Sequence, residues 1–526
     1  MRALILLALL GLVFTASAEK TFVYCSEASP STFNPQLADD GPTFNAAAEM
    51  LYGRLVGFES GGTKTAPGLA QKWEVSPDGK TYTFHLRKNV QFHTTETFKP
   101  SRAMNADDVL FSFERALKQK HPYHLVNGGN YVYFETMELK KLIKDIQRVD
   151  DYTVRFVLNW PEAPFIANMG MDFAVILSKE YADQLLKAGT PEKIDLEPVG
   201  TGPFVLKRYV KDNSIRYEAH PSYWEGRAQL DKVVFAITPD ANVRFQKLKA
   251  GECQFIAEPS PQNLKAMGEA PNIKVMSQAG ANVGYLAFNT EKPPFNKLEV
   301  RQAIAHALNR EAYIKAVYQD TATVALNPIP PTVWGANKNV KDYAFDIAKA
   351  KELLLKAGFP NGFEAELWTL PVSRPYNPNG KKMGELMQSD LAKIGIKVKL
   401  VTYDWTAYLK KARAGEHQMI QLGWTTDNGD PDNFMGTLLS CGAVASGANM
   451  ARWCNPAYDA IIMKAKTVSN TKARTLQYAK AQELFKKEVP WVTLAHATVY
   501  RGMTKNVQGY KISPLGTEVF YPVDLK

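Results

Sequence analysis

Ala365-Glu366-Leu367-Trp368-Thr369-Leu370 is a short apolar run, and Pro371-Val372-Ser373-Arg374-Pro375-Tyr376-Asn377-Pro378 follows it at once. The run reads as a strand and the proline-rich stretch as a loop leaving it. A helix is predicted from Lys381 to Ile394, because Met383, Leu386, Met387, Leu391 and Ile394 fall on one face. Gly395 closes it as a C-cap. Ile396–Leu400 reads as the next strand, Thr406–Ala414 as a helix and Met419–Trp424 as a third strand. A second special loop follows, Thr425-Thr426-Asp427-Asn428-Gly429-Asp430-Pro431-Asp432. Strands alternating with helices predict a mostly parallel sheet with right-handed crossovers. In such sheets ligands sit beyond the carboxyl ends of the strands. The loops carrying Arg374 and Asp427 both leave strands at that edge.

Outward from this stretch the same logic places other elements. Val283–Asn289 reads as a strand and Glu299–Asn309 as a helix. Thr81–Leu86 and Thr153–Leu158 alternate polar and apolar residues, as half-buried strands do. Asn105-Ala106-Asp107-Asp108 starts a helix, with Asn105 as its cap and two acids at the positive end of its dipole. Gly200-Thr201-Gly202-Pro203-Phe204 is a turn into a strand near Val205–Tyr209.

The chain has 526 residues, 45% hydrophobic and 22% charged, an ordinary globular composition. At about 150 residues per domain this length predicts two to four domains. The net charge is +10, and loss of Arg2 with the leader would lower it by one. The Lys and Arg residues are dispersed without a dense basic stripe, so nucleic-acid binding is set aside. Arg2, the apolar run Leu4–Phe14 and Ala16-Ser17-Ala18 have the three-part form of a cleaved secretory signal, residues 1–18. Glu19 follows where a lipid anchor would need Cys. Four cysteines, Cys25, Cys253, Cys441 and Cys454, allow three pairings. Proximity favours Cys441 with Cys454, leaving Cys25 with Cys253. No Cys-x-x-Cys or His cluster points to a metal, and no cofactor is called for.

The motifs of enzymes are also missing. Gly200-Thr201-Gly202 is not followed by Gly-Lys-Ser/Thr, so it is no phosphate loop. Asp430, Asp432 and Asn433 are a fragment of a calcium loop without its terminal Glu. Ser, His and Asp occur without a nucleophile setting. His306 and His417 read as solvated helix-end residues. Alone, Arg374 in a proline-rich loop reads as a surface or ion-pair residue, and Asp427 as turn chemistry.

Several segments together resemble the peptide-binding subfamily of the substrate-binding proteins of bacterial ABC importers, extracellular solute-binding protein family five. They are Pro67-Gly68-Leu69-Ala70 with Trp73, Asp78–Phe84, Asn105–Val109 with Phe111-Ser112-Phe113, Gly200–Phe204 and Val300-Arg301-Gln302-Ala303. Arg374–Pro378, Gly423-Trp424-Thr425 and Asp427–Phe434 resemble the branch that binds dipeptides. The resemblance implies an α/β, two-lobed periplasmic binding-protein fold with mixed sheets. The change of pattern at Ala281 and the apolar strand Trp491–Leu494 place its hinge of two crossings near Gln278–Gly284 and Ala495–Tyr500, with an extra subdomain in the N-terminal lobe. The implied division is an N-terminal lobe at 19–280, with the subdomain at about 57–197, a C-terminal lobe at 281–497 and a return to the first lobe at 498–526.

The resemblance further implies that Arg374 holds a peptide carboxylate and Asp427 its amino group, and that the disulfides are Cys25–Cys253 and Cys441–Cys454. Tyr376, Trp405 and Trp424 are candidates to line side-chain pockets. The loop Asp39-Asp40-Gly41 is expected to border the site, and it carries two acids where the family usually has small hydroxyl residues. The implied function is a monomeric periplasmic protein that captures dipeptides for a membrane permease with separate ATPase subunits. It is not an enzyme. Relatives carry haem alongside dipeptides, and a chemoreceptor is a further partner of such proteins. The competing readings are a binder of longer oligopeptides and an exported peptide hydrolase.

Overall fold

The computed structural model describes residues 19–526, so the predicted secretory signal at 1–18 lies outside the described residues. The stretch 364–425 folds as strand, helix, strand, helix, strand. Its elements are Glu364–Trp368, Gly380–Ala392, Lys397–Val401, Trp405–Arg413 and Met419–Thr425. Each lies within two residues of its predicted bounds. Asn379 caps the first helix through Lys382 N–H at 3.0 Å. Gly395 ends it at φ +83°, with Ile396 N–H donating back to Leu391 C=O at 3.1 Å.

Within this stretch the parallel pairing stops at three strands, although Thr21–Ser26 also runs parallel to Lys232–Ile237 and Phe255–Ala257 farther along the sheet. Glu364–Trp368 runs parallel to both Lys397–Val401 and Met419–Thr425, but Met419–Thr425 runs antiparallel to Asn282–Phe288. The sheet is therefore mixed. It continues through Trp491–Thr504 and Phe255–Ala257 to Thr21–Ser26. The strand Trp491–Thr504 has two sets of partners. Trp491–Ala495 pairs with Asn282–Phe288, whereas Thr498–Thr504 pairs with Ile273–Ala279 and, on its other edge, with Phe255–Ala257.

The apolar core is correspondingly divided. One cluster joins Phe22, Met50, Phe84 and Phe156 with Val499 and Phe520, all from before residue 258 or after 498. Two others lie within residues 281–497, around Ile304 with Met387 and around Tyr285 with Trp491. A separate four-stranded antiparallel sheet covers Ala70–Val75, Thr81–Leu86, Ile143–Asp150 and Thr153–Leu158. The helix Ala106–Leu117 packs on it and begins with the predicted cap. Asn105 accepts from Asp107 N–H at 3.0 Å, while Asp108 accepts from Asn105 N–H at 2.9 Å.

The cysteines pair as Cys25–Cys253 and Cys441–Cys454, with Cα atoms 5.8 and 4.5 Å apart. His417 corrects the sequence reading. It lies just before a strand and is fully buried, with Nε2 2.7 Å from Met450 C=O and its ring edge-on to Trp368. Burial pushes its pKa down to about 4, so it is a neutral core residue.

Candidate functional site

Arg374 leaves the carboxyl end of Glu364–Trp368 in a tight turn. Its N–H and C=O exchange bonds with Asn377 at 3.1 and 3.0 Å. The turn lies against two opposed strand glycines. A Cβ on Gly284 would sit 2.2 Å from Tyr376 C=O, and one on Gly423 2.2 Å from the Tyr376 ring. Tyr318 O–H donates to the same carbonyl at 2.6 Å. The Arg374 guanidinium therefore projects from a fixed base. It lies over the Trp405 ring, 5.0 Å from its centroid. Its Nη1 is 3.5 Å from Glu27 and 3.9 Å from Glu258. Its Nη2 is buried and has no partner among the described residues. Burial would lower the pKa of Arg374, but Glu258 and Glu27 raise it, so the cation is secure.

Asp427 sits just beyond Met419–Thr425. Asn433 organises it, accepting from Asp427 N–H at 2.9 Å and from Trp424 Nε1 at 2.8 Å, and donating to Asp427 Oδ2 at 2.9 Å. The loop is pinned by Asp430, which accepts two 2.8 Å bonds from Arg474 and caps Asp432 N–H at 2.9 Å. No cation pairs with Asp427 among the described residues. Burial pushes its pKa up to about 8; the Asn433 bond opposes this, and Asp172 and Asp39 add to it. A cation brought beside it would favour the ionised form and pull that pKa back down.

All eight predicted site residues, Asp39, Asp40, Gly41, Arg374, Tyr376, Trp405, Trp424 and Asp427, line one cavity. The two acids of the first loop have structural partners within it. Asp40 caps the turn that follows, accepting from Thr43 N–H at 3.0 Å and from Ser31 O–H at 2.7 Å. Asp39 forms an ion pair with Arg413. Sequence reasoning missed Glu27, Glu258 and Arg501, which line the same cavity. Glu27 precedes Arg374 by 347 residues, and a single sequence carries no signal for such a pairing.

A family model for the bacterial extracellular solute-binding proteins, family 5 middle, matches residues 64–446. The chain belongs to this family. It is 51% identical to the dipeptide-binding protein of Escherichia coli, covering 99% of this chain and 97% of that one. It is 47% identical to heme-binding protein A of Haemophilus influenzae, covering 97% and 93%. Among solved structures, the dipeptide binding protein from Pseudoalteromonas sp. SM9913 in complex with Met-Leu is 41% identical. It superposes with a TM-score of 0.93 over 96% of this chain and 100% of that one. The fold is accordingly that of a two-lobed solute-binding protein.

Proposed function

We propose that this family 5 protein is a periplasmic dipeptide receptor. It holds the ligand amino group at Asp427 and the carboxylate at Arg374, and delivers the peptide to an ABC transporter whose permease and ATPase are separate chains. One observation carries the reading: an acid without a counter-ion and a guanidinium with an unused buried donor, both so among the described residues, face one cavity from neighbouring strand ends. An extended dipeptide spans about 7 Å and ends in one cation and one anion. Arginine can give the carboxylate two parallel hydrogen bonds, and aspartate only accepts, as an ammonium requires. A longer peptide cannot place both termini on these charges. The relationship to the E. coli dipeptide-binding protein supports the same ligand. The family's role in binding solutes supports binding rather than catalysis, and in this reading the two charges match ligand termini and leave the peptide bond alone.

The lobes in this reading are 19–280 with 498–526, and 281–497, with a subdomain at about 57–197. The partner switch of Trp491–Thr504 supports the division. Mass spectrometry of ligand released from gently purified protein tests the function. Dipeptides of varied sequence are the expected content. A population dominated by tetrapeptides and longer chains, or turnover of added dipeptide to amino acids, would contradict it. Haem is a second reading, favoured by the H. influenzae relative, and a Soret band on titration with haemin would support it.

A further inference from the structure

The arginine end of the cavity carries more negative charge than the termini of a dipeptide explain. Glu27 and Glu258 both approach Arg374 there. Arg501 also lines the cavity, but its Nε is committed to Glu518 at 2.5 Å. Glu27 has stable partners. It accepts from Tyr24 O–H at 2.9 Å, and Arg374 and Arg244 together outweigh burial and hold its pKa below the ordinary value.

Glu258 is different. Its nearest cation, Arg374 Nη1, is 3.9 Å away, beyond a hydrogen bond, and its Oε2 is buried without a partner among the described residues. Its backbone is held at φ +50°, a left-handed conformation that a residue with a side chain seldom adopts. Arg244 donates to its carbonyl at 3.2 Å. Burial, with Glu27 adding, pushes the Glu258 pKa up to about 7 against the pull of Arg374. Strained backbone and an unsatisfied polar atom at a cavity are features of functional residues.

A bound peptide makes the mismatch worse. When its carboxylate takes the free Nη2 of Arg374, that one guanidinium is shared among the carboxylate, Glu27 and Glu258, with Arg244 helping to hold Glu27. Glu258 then keeps only a share of Arg374 at 3.9 Å, with the longer-range pull of Arg501 and Arg244, and its buried Oε2 still lacks a partner among the described residues. The missing positive charge can come from the ligand residue that carries the carboxylate, because its side chain leaves the carbon next to that group.

We propose that Glu258 makes the site select peptides whose carboxyl-terminal residue is lysine or arginine. An acidic side chain at that position meets Glu27 and Glu258 and is rejected. The inference rests on the proposed placement of the carboxylate at Arg374.

Titration calorimetry with Ala-Lys, Lys-Ala, Ala-Ala and Ala-Glu on the parent, Glu258→Gln and Glu258→Asp tests it. The parent is expected to bind Ala-Lys at least about tenfold more tightly than Ala-Ala, and Ala-Glu more weakly than either. Lys-Ala should gain much less, since its cation lies at the other end. In Glu258→Gln the Ala-Lys to Ala-Ala ratio should collapse towards one, and Glu258→Asp should retain part of it. Circular dichroism checks that the variants fold. If they do not, the parent ratios decide alone. Equal affinity of the parent for Ala-Lys and Ala-Ala, or a ratio that survives Glu258→Gln, overturns the inference and leaves dipeptide binding intact. Failure of all four peptides to bind the parent overturns the proposed function, and this inference with it.

Discussion

Asp427 pays for its readiness in stability. In the empty protein it keeps its proton up to about pH 8, whereas an unfolded aspartate titrates near ~3.9. The folded pKa is raised, so its contribution to stability is full below the unfolded value and is lost as pH rises through about 8. Asp427→Asn should therefore raise the unfolding midpoint of the empty protein at alkaline pH, an effect of about 1–3 kcal/mol. A lowered midpoint would contradict the burial argument. The same group makes binding pH-dependent. An ammonium needs the carboxylate form, so peptide binding below about pH 8 releases a proton from Asp427. Affinity should climb with pH, approaching a tenfold gain per unit, until the ligand amine itself deprotonates near ~7.7–8.0. Calorimetry over this range should show that slope in the parent and none in Asp427→Asn, which should bind free dipeptide several kcal/mol more weakly, roughly the cost of a stranded buried charge. Arg374→Lys should lose affinity too, because a point charge cannot replace a two-pronged contact; parent-like binding would show that the fork is unused. At this scale the sequence pattern placed the Arg374 and Asp427 loops at strand ends, and both line the cavity; their proposed roles came from the family resemblance, since alone they read as an ion-pair residue and turn chemistry. It hid the structural commitments of Asp39 and Asp40, and the whole of Glu27 and Glu258, because those depend on contacts across hundreds of residues.

The elements explain why the Arg374 turn is so well placed. It needs bare backbone beneath it, and Gly284 and Gly423 supply that at opposed positions of two antiparallel strands. Gly284→Ala should cost about 1–3 kcal/mol through overpacking and should weaken peptide binding by shifting the turn. Gly268→Ala is a suitable control, since a Cβ there meets nothing within 4 Å. Denaturant unfolding and calorimetry on both variants check this, and a Gly284→Ala protein indistinguishable from the control would show that the turn does not depend on the close approach. The elements of residues 364–425 were legible because each has a clean period and a cap or glycine at its end. The strand Trp491–Thr504 was legible only in its first, apolar half. Its second half mixes polar and apolar residues and takes strand partners on both edges, so neither a run nor an alternation marks it. The antiparallel flank of the sheet was unreadable for a related reason: strand direction is set by which distant segment pairs, and local residues do not encode it.

Over the whole molecule, contacts link the segment 19–280 to the segment 281–497 at the cavity and beyond it. Asp39 pairs with Arg413, Glu162 with Lys466 at 3.0 Å, and Asn428 donates to Asn168 at 2.7 Å. In each pair one residue belongs to 19–280 and the other to 281–497. Ligand charges buried between such surfaces must be out of water to discriminate, which requires that the lobes open to admit the peptide and close on it. Small-angle scattering should show compaction when a dipeptide is added at saturation, and an unchanged profile would count against closure. The two-lobed fold and the paired disulfides match what the sequence resemblance implies, because both are properties of a whole chain aligned to a family. The central claim is capture by both termini at once, and the most direct measurement is a calorimetric comparison of one neutral dipeptide with its N-acetylated and C-amidated forms. The free dipeptide should bind, and each blocked form should bind more weakly by several kcal/mol, on the order of the loss from an unpaired buried charge. A blocked form that binds as tightly as the free peptide would contradict that claim.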